Sequence, residues 1–208
     1  MKKLITAFIC LSAAFISSCS KENERIGLEE YKKKDYVKAK VLAEKACGDK
    51  NAEACYILAN IYFLGLSSGI DHVKAVRLYI NSCDEGNGRA CYILGKLYNQ
   101  GKYVHKDDFQ SEAYYRKSNK MLYNECEKKN PESCLYAGAL YLYSLGVPHN
   151  AEKAIHFFGK ACDLKYGAGC WTLGWLYEKE RFNIPKNDMI SSGYYEKACR
   201  FGYSEGCK

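Results

Sequence analysis

The residues with the clearest chemical potential in this chain are its cysteines, of which there are 12. Ten of them fall into pairs of the form C-x7-C, namely Cys47–Cys55, Cys83–Cys91, Cys126–Cys134, Cys162–Cys170 and Cys199–Cys207. Paired thiols can form disulfides or bind zinc, but zinc sites use closer cysteine spacings or neighbouring histidines, which these pairs lack. We therefore predict five disulfides, no metal site and no cofactor.

A disulfide at this spacing requires the chain to reverse direction between the two cysteines. Its two Cα atoms must lie about 4.4–6.8 Å apart, whereas residues eight apart lie about 12 Å apart in a helix. Glycine or Asn-Pro within each pair supplies a plausible turn. The predicted turn residues are Gly48, Gly86 with Gly88, Asn130 with Pro131, Gly167, and Gly202.

The first cysteines of successive pairs lie 36, 43, 36 and 37 residues apart, which indicates a repeat array. Apolar residues follow each of the first four pairs at helical spacing, and in all four a tyrosine stands seven positions after the second cysteine. Four positions after that cysteine stands alanine or glycine, which predicts a close helix contact that admits no side chain: Ala59, Gly95, Gly138 and Gly174. A second helix then leads to the next pair, over residues 71–83, 151–162 and 187–199. In one unit seven added residues precede Cys126, and we predict that they lengthen this helix by about two turns.

These elements resemble a known repeat family. The pattern A-x-x-x-L-G-x-x-Y, as in Ala90 to Tyr98, and the K-A-x-x-x-Y/F and K-A of the second helix resemble the Sel-one-like repeat, a relative of the tetratricopeptide repeat. With C-x7-C in every unit, the chain is similar to the cysteine-rich proteins first described in Helicobacter. The resemblance covers about residues 28–208, or four to five units. It implies an all-α fold, a right-handed superhelical solenoid of α/α hairpin repeats stapled by disulfides.

The N-terminus carries an export signal. Met1, Lys2 and Lys3 are followed by a short apolar run that ends in Ile16-Ser17-Ser18-Cys19, which resembles the bacterial lipobox. We therefore predict a leader over residues 1–18, acylation of Cys19 and a polar tether over residues 19–27. Ser20 rather than aspartate after the cysteine favours an outer-membrane lipoprotein facing the periplasm. The alternative is an ordinary leader that is cut nearby and releases a secreted protein.

The charge excludes some partners. The formal net charge is +7, and Lys and Arg form no run interleaved with aromatic residues, so we expect no nucleic-acid partner. We expect a monomer that contacts the membrane only through its N-terminal lipid.

Two functions compete at this stage. Helical solenoids hold peptides or partner proteins in a groove lined by the first helix of each repeat. We predict a groove that binds a peptide, a peptidoglycan fragment or a protein partner, while packing against the next repeat is an alternative role for its residues. The predicted groove residues are Tyr56, Asn60, Tyr92, Lys96, Asn99, Trp171, Trp175 and Glu178.

The second hypothesis is an enzyme, because the Helicobacter resemblance implies weak β-lactamase and penicillin-binding activity. Serine β-lactamases use S-x-x-K, S-D-N and K-T-G elements. The only S-x-x-K here, Ser18 to Lys21, straddles the predicted cleavage site, and no K-T-G or S-D-N occurs. The four histidines lack metal-ligand spacing. The catalytic residues of such an enzyme therefore stay unknown.

Overall fold

The computed structural model describes residues 13–67 and 69–207, with side chains from residue 21 onward. Most of the predicted leader, and the side chain of the predicted acylation residue Cys19, lie outside what is described. The described chain is helical apart from its connections. Its helices are α1 (Ala13–Lys32), α2 (Tyr36–Gly48), α3 (Ala52–Leu64), α4 (His72–Asp84), α5 (Gly88–Gln100), α6 (Asp108–Glu127), α7 (Pro131–Leu142), α8 (Ala151–Asp163), α9 (Gly167–Glu178) and α10 (Asp188–Arg200), followed by a 3₁₀ turn (Ser204–Gly206).

The chain divides into two compact units, an N-terminal unit that ends at Ala90 and a C-terminal unit that begins at Cys91. In the N-terminal unit α1 packs on α2, α2 on α3 and α3 on α4. In the C-terminal unit each helix from α6 to α10 packs on the next one in sequence. This packing of consecutive helices is typical of hairpin repeats, and it confirms the predicted all-α repeat fold.

The cysteine pairs close the reversals between hairpins. The Cα–Cα distances are 4.7 Å for Cys47–Cys55, 4.7 Å for Cys126–Cys134, 4.6 Å for Cys162–Cys170 and 4.8 Å for Cys199–Cys207. Cys83 and Cys91 are also disulfide-bonded. Each of the four bonds with a stated distance joins the end of one helix to the start of the next or to the residue after the final 3₁₀ turn.

The turn matches the predicted glycine in two pairs, at Gly86 and Gly202, and differs from the prediction in the other three. The left-handed residue always lies three positions after the first cysteine, and it is a lysine in three of the five turns: Lys50, Gly86, Lys129, Lys165 and Gly202. Gly48 and Gly167 instead lie within α2 and α9. The next amide donates back across the helix end, as Asn51 N does to Ala46 O at 3.1 Å. This 6→1 hydrogen bond defines a Schellman ending, which fixes the position of the left-handed residue whatever its type.

The predicted close helix contact at the recurrent glycine occurs in the C-terminal unit. An aromatic ring of the second helix lies on each glycine, so that an added Cβ would stand 2.7 Å from Tyr115 at Gly95, 2.6 Å from Phe158 at Gly138 and 2.8 Å from Tyr195 at Gly174. Helix packing therefore explains why glycine is kept at a position where it weakens the helix.

The structure tests the predicted length of α6 and the predicted tether. Helix α6 has 20 residues where α4, α8 and α10 have 13, as the longer-helix prediction required. The predicted tether, residues 19–27, is instead part of helix α1. Its Glu24 accepts a hydrogen bond of 2.7 Å from Asn51 Nδ2, and Gly27 lies against Leu42. These contacts hold the segment against the fold rather than leaving it extended.

Candidate functional site

The predicted groove residues of the N-terminal unit are used within that unit. Tyr56 is 6% exposed, and the Arg89 guanidinium lies 4.5 Å above its ring. Asn60 Oδ1 accepts a 2.6 Å hydrogen bond from the Tyr79 hydroxyl. Tyr56 therefore packs inside the unit, whereas Asn60 is half-buried and bonded to the neighbouring helix α4.

The predicted groove residues of the C-terminal unit are more open. Tyr92 on α5 is half-buried, while Lys96 and Asn99 on the same helix are exposed. The Tyr92 ring lies 4.7 Å from the ring of Tyr136 on α7 and 5.7 Å from that of Tyr115. Burial raises the pKa of Tyr92 from 10.0 to about 12.

Trp171 and Trp175 lie on α9, the first helix of the next repeat. Both indoles are half-buried, and the Trp171 ring lies 5.9 Å from that of Tyr203. Trp171 Nε1 is buried and has no acceptor among the described residues. A buried N–H without an acceptor carries a desolvation cost. We call the surface formed by Tyr92, Tyr136, Trp171 and Trp175 the aromatic face.

The loop after α9 contacts one end of the aromatic face. The Arg181 guanidinium stacks on the Trp175 indole at 3.9 Å from its centre, and the Phe182 ring lies 6.2 Å from it. Glu178 Oε2 lies 3.9 Å from Arg181 Nη2. Glu178 also accepts a hydrogen bond from Tyr195, and its charge adds to burial in raising the pKa of that tyrosine. The carboxylate is thus positioned beside the indole.

Sequence reasoning missed Tyr136, Arg181 and Phe182. Tyr136 stands two positions after Cys134, next to the predicted stripe, and a wider stripe would have included it. Arg181 and Phe182 lie in a connection whose path the helical periodicity does not describe. Only the folded loop brings them to Trp175.

A serine motif was missed as well. Gly65, Ser67 and Gly69 match G-x-S-x-G, the pattern that in α/β-hydrolases places a nucleophile between a strand and a helix. Here the motif follows helix α3, which ends at Leu64 with Gly65 left-handed. Ser67 Oγ is buried and has no hydrogen-bond partner among the described residues. The motif therefore lacks the strand-to-helix context that it has in α/β-hydrolases.

Other site types find no support within the described ranges. No cluster of three or more histidine, cysteine, aspartate or glutamate side chains could hold a metal ion among residues 13–67 and 69–207. Over the same part of the chain, no helix combines the length and apolar character that crossing a bilayer requires. Disulfides of this number are typical of an extracellular or periplasmic compartment.

Comparisons with known proteins agree with this architecture. A model of the Sel1 repeat matches residues 26–49, 52–87, 88–121, 131–166 and 167–203. Cytochrome c oxidase assembly factor 7 of Xenopus tropicalis is 36% identical over 58 residues, which cover 28% of this chain and 25% of that protein. The chain therefore matches only a quarter of that relative's length.

Solved structures show the same fold. A Sel1 repeat protein from Oxalobacter formigenes superposes with a TM-score of 0.58 at 18% identity, covering 89% of this chain and 85% of that chain. Helicobacter pylori cysteine rich protein B is 29% identical, with a TM-score of 0.41, and covers 64% of this chain and 96% of that chain. Because the repeat model matches five segments between residues 26 and 203, the protein belongs to the Sel1 repeat family.

Proposed function

We propose that this protein is an exported binding protein whose aromatic face holds an extended peptide segment of a partner protein. Sel1 repeat proteins generally bind protein partners, and repeat solenoids do so through the surface of their first helices. The observation that carries the proposal is the aromatic face itself. It comprises half-buried rings on three first helices of one compact unit, and the Tyr92 and Tyr136 rings lie 4.7 Å apart.

The chemistry of this face suits a peptide. Tyrosine and tryptophan supply large contact areas with few rotatable bonds, which is why they dominate the binding energy of interfaces. Lys96 and Asn99 provide exposed polar groups on the neighbouring helix α5.

The experiment uses the oxidised protein to select ligands from a displayed random-peptide library, with purified muropeptides as a second probe. We expect Trp171→Ala to lower the affinity for the selected peptides about thirtyfold. This factor is equivalent to about 2 kcal/mol, which is typical of an interface anchor. Tyr123→Ala is the matched control, because Tyr123 is 49% exposed but lies on α6, a second helix. Equal loss in both variants would refute the aromatic face as the site. If the protein bound muropeptides and no library peptide, the ligand would be a peptidoglycan fragment rather than a partner protein.

The same preparation tests the hydrolase hypothesis that the Helicobacter resemblance implied. We expect nitrocefin turnover at the buffer background, and no change on Ser67→Ala, because Ser67 Oγ has no hydrogen-bonded base among the described residues. Saturable turnover that copurifies with the protein would contradict a purely binding role.

We also propose that the protein is anchored in the outer membrane through an acylated Cys19. The support is the lipobox-like sequence that ends at this residue together with the disulfides, which require an oxidising compartment. Cys19→Ser should abolish incorporation of labelled palmitate and release the protein from the membrane fraction. Incorporation that persists in this variant would refute the assignment.

A further inference from the structure

The loop between α9 and α10 covers part of the aromatic face with its own side chains. Arg181 lies on the Trp175 indole and within 3.9 Å of the Glu178 carboxylate. The Phe182 ring lies 5.6 Å from the ring of Tyr143 and 6.3 Å from that of His149. Trp175 and Glu178, two predicted ligand contacts, are therefore in contact with a segment of the same chain.

This segment adopts a conformation that most L-residues avoid. Phe182 has φ 52° and Asn183 has φ 61°. The turn is closed by Arg181 N to Ile184 O at 3.2 Å and Ile184 N to Arg181 O at 2.8 Å. Two-residue turns with both central residues left-handed are normally built from asparagine and glycine. Strain at a bulky residue such as Phe182 persists only where surrounding contacts offset it, and such strain is concentrated at functional sites.

The groups beneath the loop have a defined ligand preference. The indole face of Trp175 attracts a cation, and the Glu178 carboxylate adds an opposite charge at the same place. Tyr143 and His149 supply the edges and faces that an aromatic ring packs against. This arrangement is complementary to a positive charge beside an aromatic ring, which is what Arg181 and Phe182 present to it.

We propose that Arg181 and Phe182 occupy the place of ligand residues, and that the partner peptide carries a basic residue next to an aromatic one. The partner displaces the loop and puts its own cation on Trp175 and its own ring beside Tyr143. This inference rests on the proposed function and adds to it the class of peptide and a cover that the peptide must move. Such a cover multiplies the apparent affinity by the fraction of molecules that are open, so a smaller open fraction gives weaker binding.

The first measurement tests the cover. The chain has two tryptophans, so Trp171→Phe leaves Trp175 as the only indole reporter. In this background we introduce Arg181→Gly together with Phe182→Gly, and we call this double substitution the opened variant. Glycine tolerates the positive φ of position 182 in the turn. We expect acrylamide to quench Trp175 more strongly in this opened variant than in its parent. Lys179→Ala, a nearby exposed cation, should leave quenching unchanged. Unchanged quenching in the opened variant would overturn the cover.

The second measurement tests the ligand class by calorimetry in the chain that keeps Trp171. The probe is the loop's own sequence as a capped peptide, Glu-Arg-Phe-Asn-Ile-Pro, and the control is Glu-Glu-Phe-Asn-Ile-Pro. We expect the opened variant to bind the probe about tenfold more tightly than the unmodified protein, the factor expected if the loop covers about nine molecules in ten. Glu178→Gln should weaken this binding. The inference would be overturned if the opened variant bound both peptides equally well. It would also be overturned if the opened variant and the unmodified protein bound the probe with equal affinity.

The two proposals fail separately. Loss of library-selected binding on Trp171→Ala, with the Tyr123→Ala control intact, supports the aromatic face whatever the loop does. If that result holds and the basic peptide shows no preference, only the ligand class and the cover are wrong. If Trp171→Ala has no more effect than Tyr123→Ala, the proposed function itself fails.

Discussion

The contact between Gly138 and Phe158 offers the most direct test of how neighbouring helices pack. Gly138→Ala would place a methyl group 2.6 Å from Phe158 Cε1, 2.7 Å from Cδ1 and 2.9 Å from Cζ. Ordinary carbon contacts lie at about 3.5–4.0 Å, so the ring has to move by about 1 Å. Phe158 is 2% exposed and packs in one core with Leu173 and Leu176, which leaves it no open space to enter.

The expected cost follows from two opposing terms. Overpacking a core by one methyl group costs about 1–3 kcal/mol, and alanine recovers up to about 1 kcal/mol relative to glycine in a helix. We expect Gly138→Ala to lower the free energy of unfolding by about 1–2 kcal/mol. Gly159→Ala is the matched control, because its added Cβ meets nothing within 4 Å in α8. It should stabilise the protein by about 0.5–1 kcal/mol.

The assay is urea unfolding of the oxidised proteins, followed by circular dichroism. A double-mutant cycle with Phe158→Leu adds specificity, since the smaller side chain makes room for the methyl group. We expect the cycle to show a favourable coupling of about 1 kcal/mol between the two substitutions. The packing argument is refuted if Gly138→Ala and Gly159→Ala shift the unfolding midpoint in the same direction, or if Phe158→Leu shows no coupling.

Two further predictions concern the turns and the tyrosines. Lys165→Gly should stabilise the protein by about 0.5–1 kcal/mol, since Lys165 has φ 62° and glycine adopts this region without the side-chain penalty. Gly202→Ala should destabilise the protein, because Gly202 has φ 80°. Equal unfolding midpoints for the two variants would refute the turn assignment. The pKa of Tyr92 is raised by burial from 10.0 to about 12, so its contribution to stability is complete below pH 10 and is lost as the pH rises toward 12. Tyr92→Phe should therefore reduce the fall in unfolding free energy over that pH range, measured by denaturant titration at each pH; an unaltered pH profile would contradict the burial of this hydroxyl.

Local patterns in the sequence determined the repeat unit. The C-x7-C spacing, the tyrosine seven positions later and the small residue four positions after the second cysteine recur along the chain, so each unit could be predicted from its own residues. The extra length of α6 was also predictable, because seven residues amount to about two helical turns. These features depend on neighbours in the chain, where periodicity is informative.

The turn residues show where local pattern ceased to be sufficient. Glycine was the natural choice for a left-handed position, yet Lys50, Lys129 and Lys165 occupy three of the five. The hydrogen bonds that end one helix fix where the left-handed residue lies, and the disulfide and the next helix hold it there. Residue propensity is a weak guide when such constraints act together.

The sequence by itself determined the family, the helical repeats, the position of the cysteine pairs and the stripe that contains Trp171 and Trp175. The tertiary structure alone decided which residues of that stripe are exposed and which are covered by other side chains. It packed Tyr56 beneath Arg89, joined Tyr92 to Tyr136, and laid Arg181 on Trp175. The physical reason is that periodicity assigns a residue to a face of its own helix, whereas exposure depends on which side chains from other helices and loops reach that face.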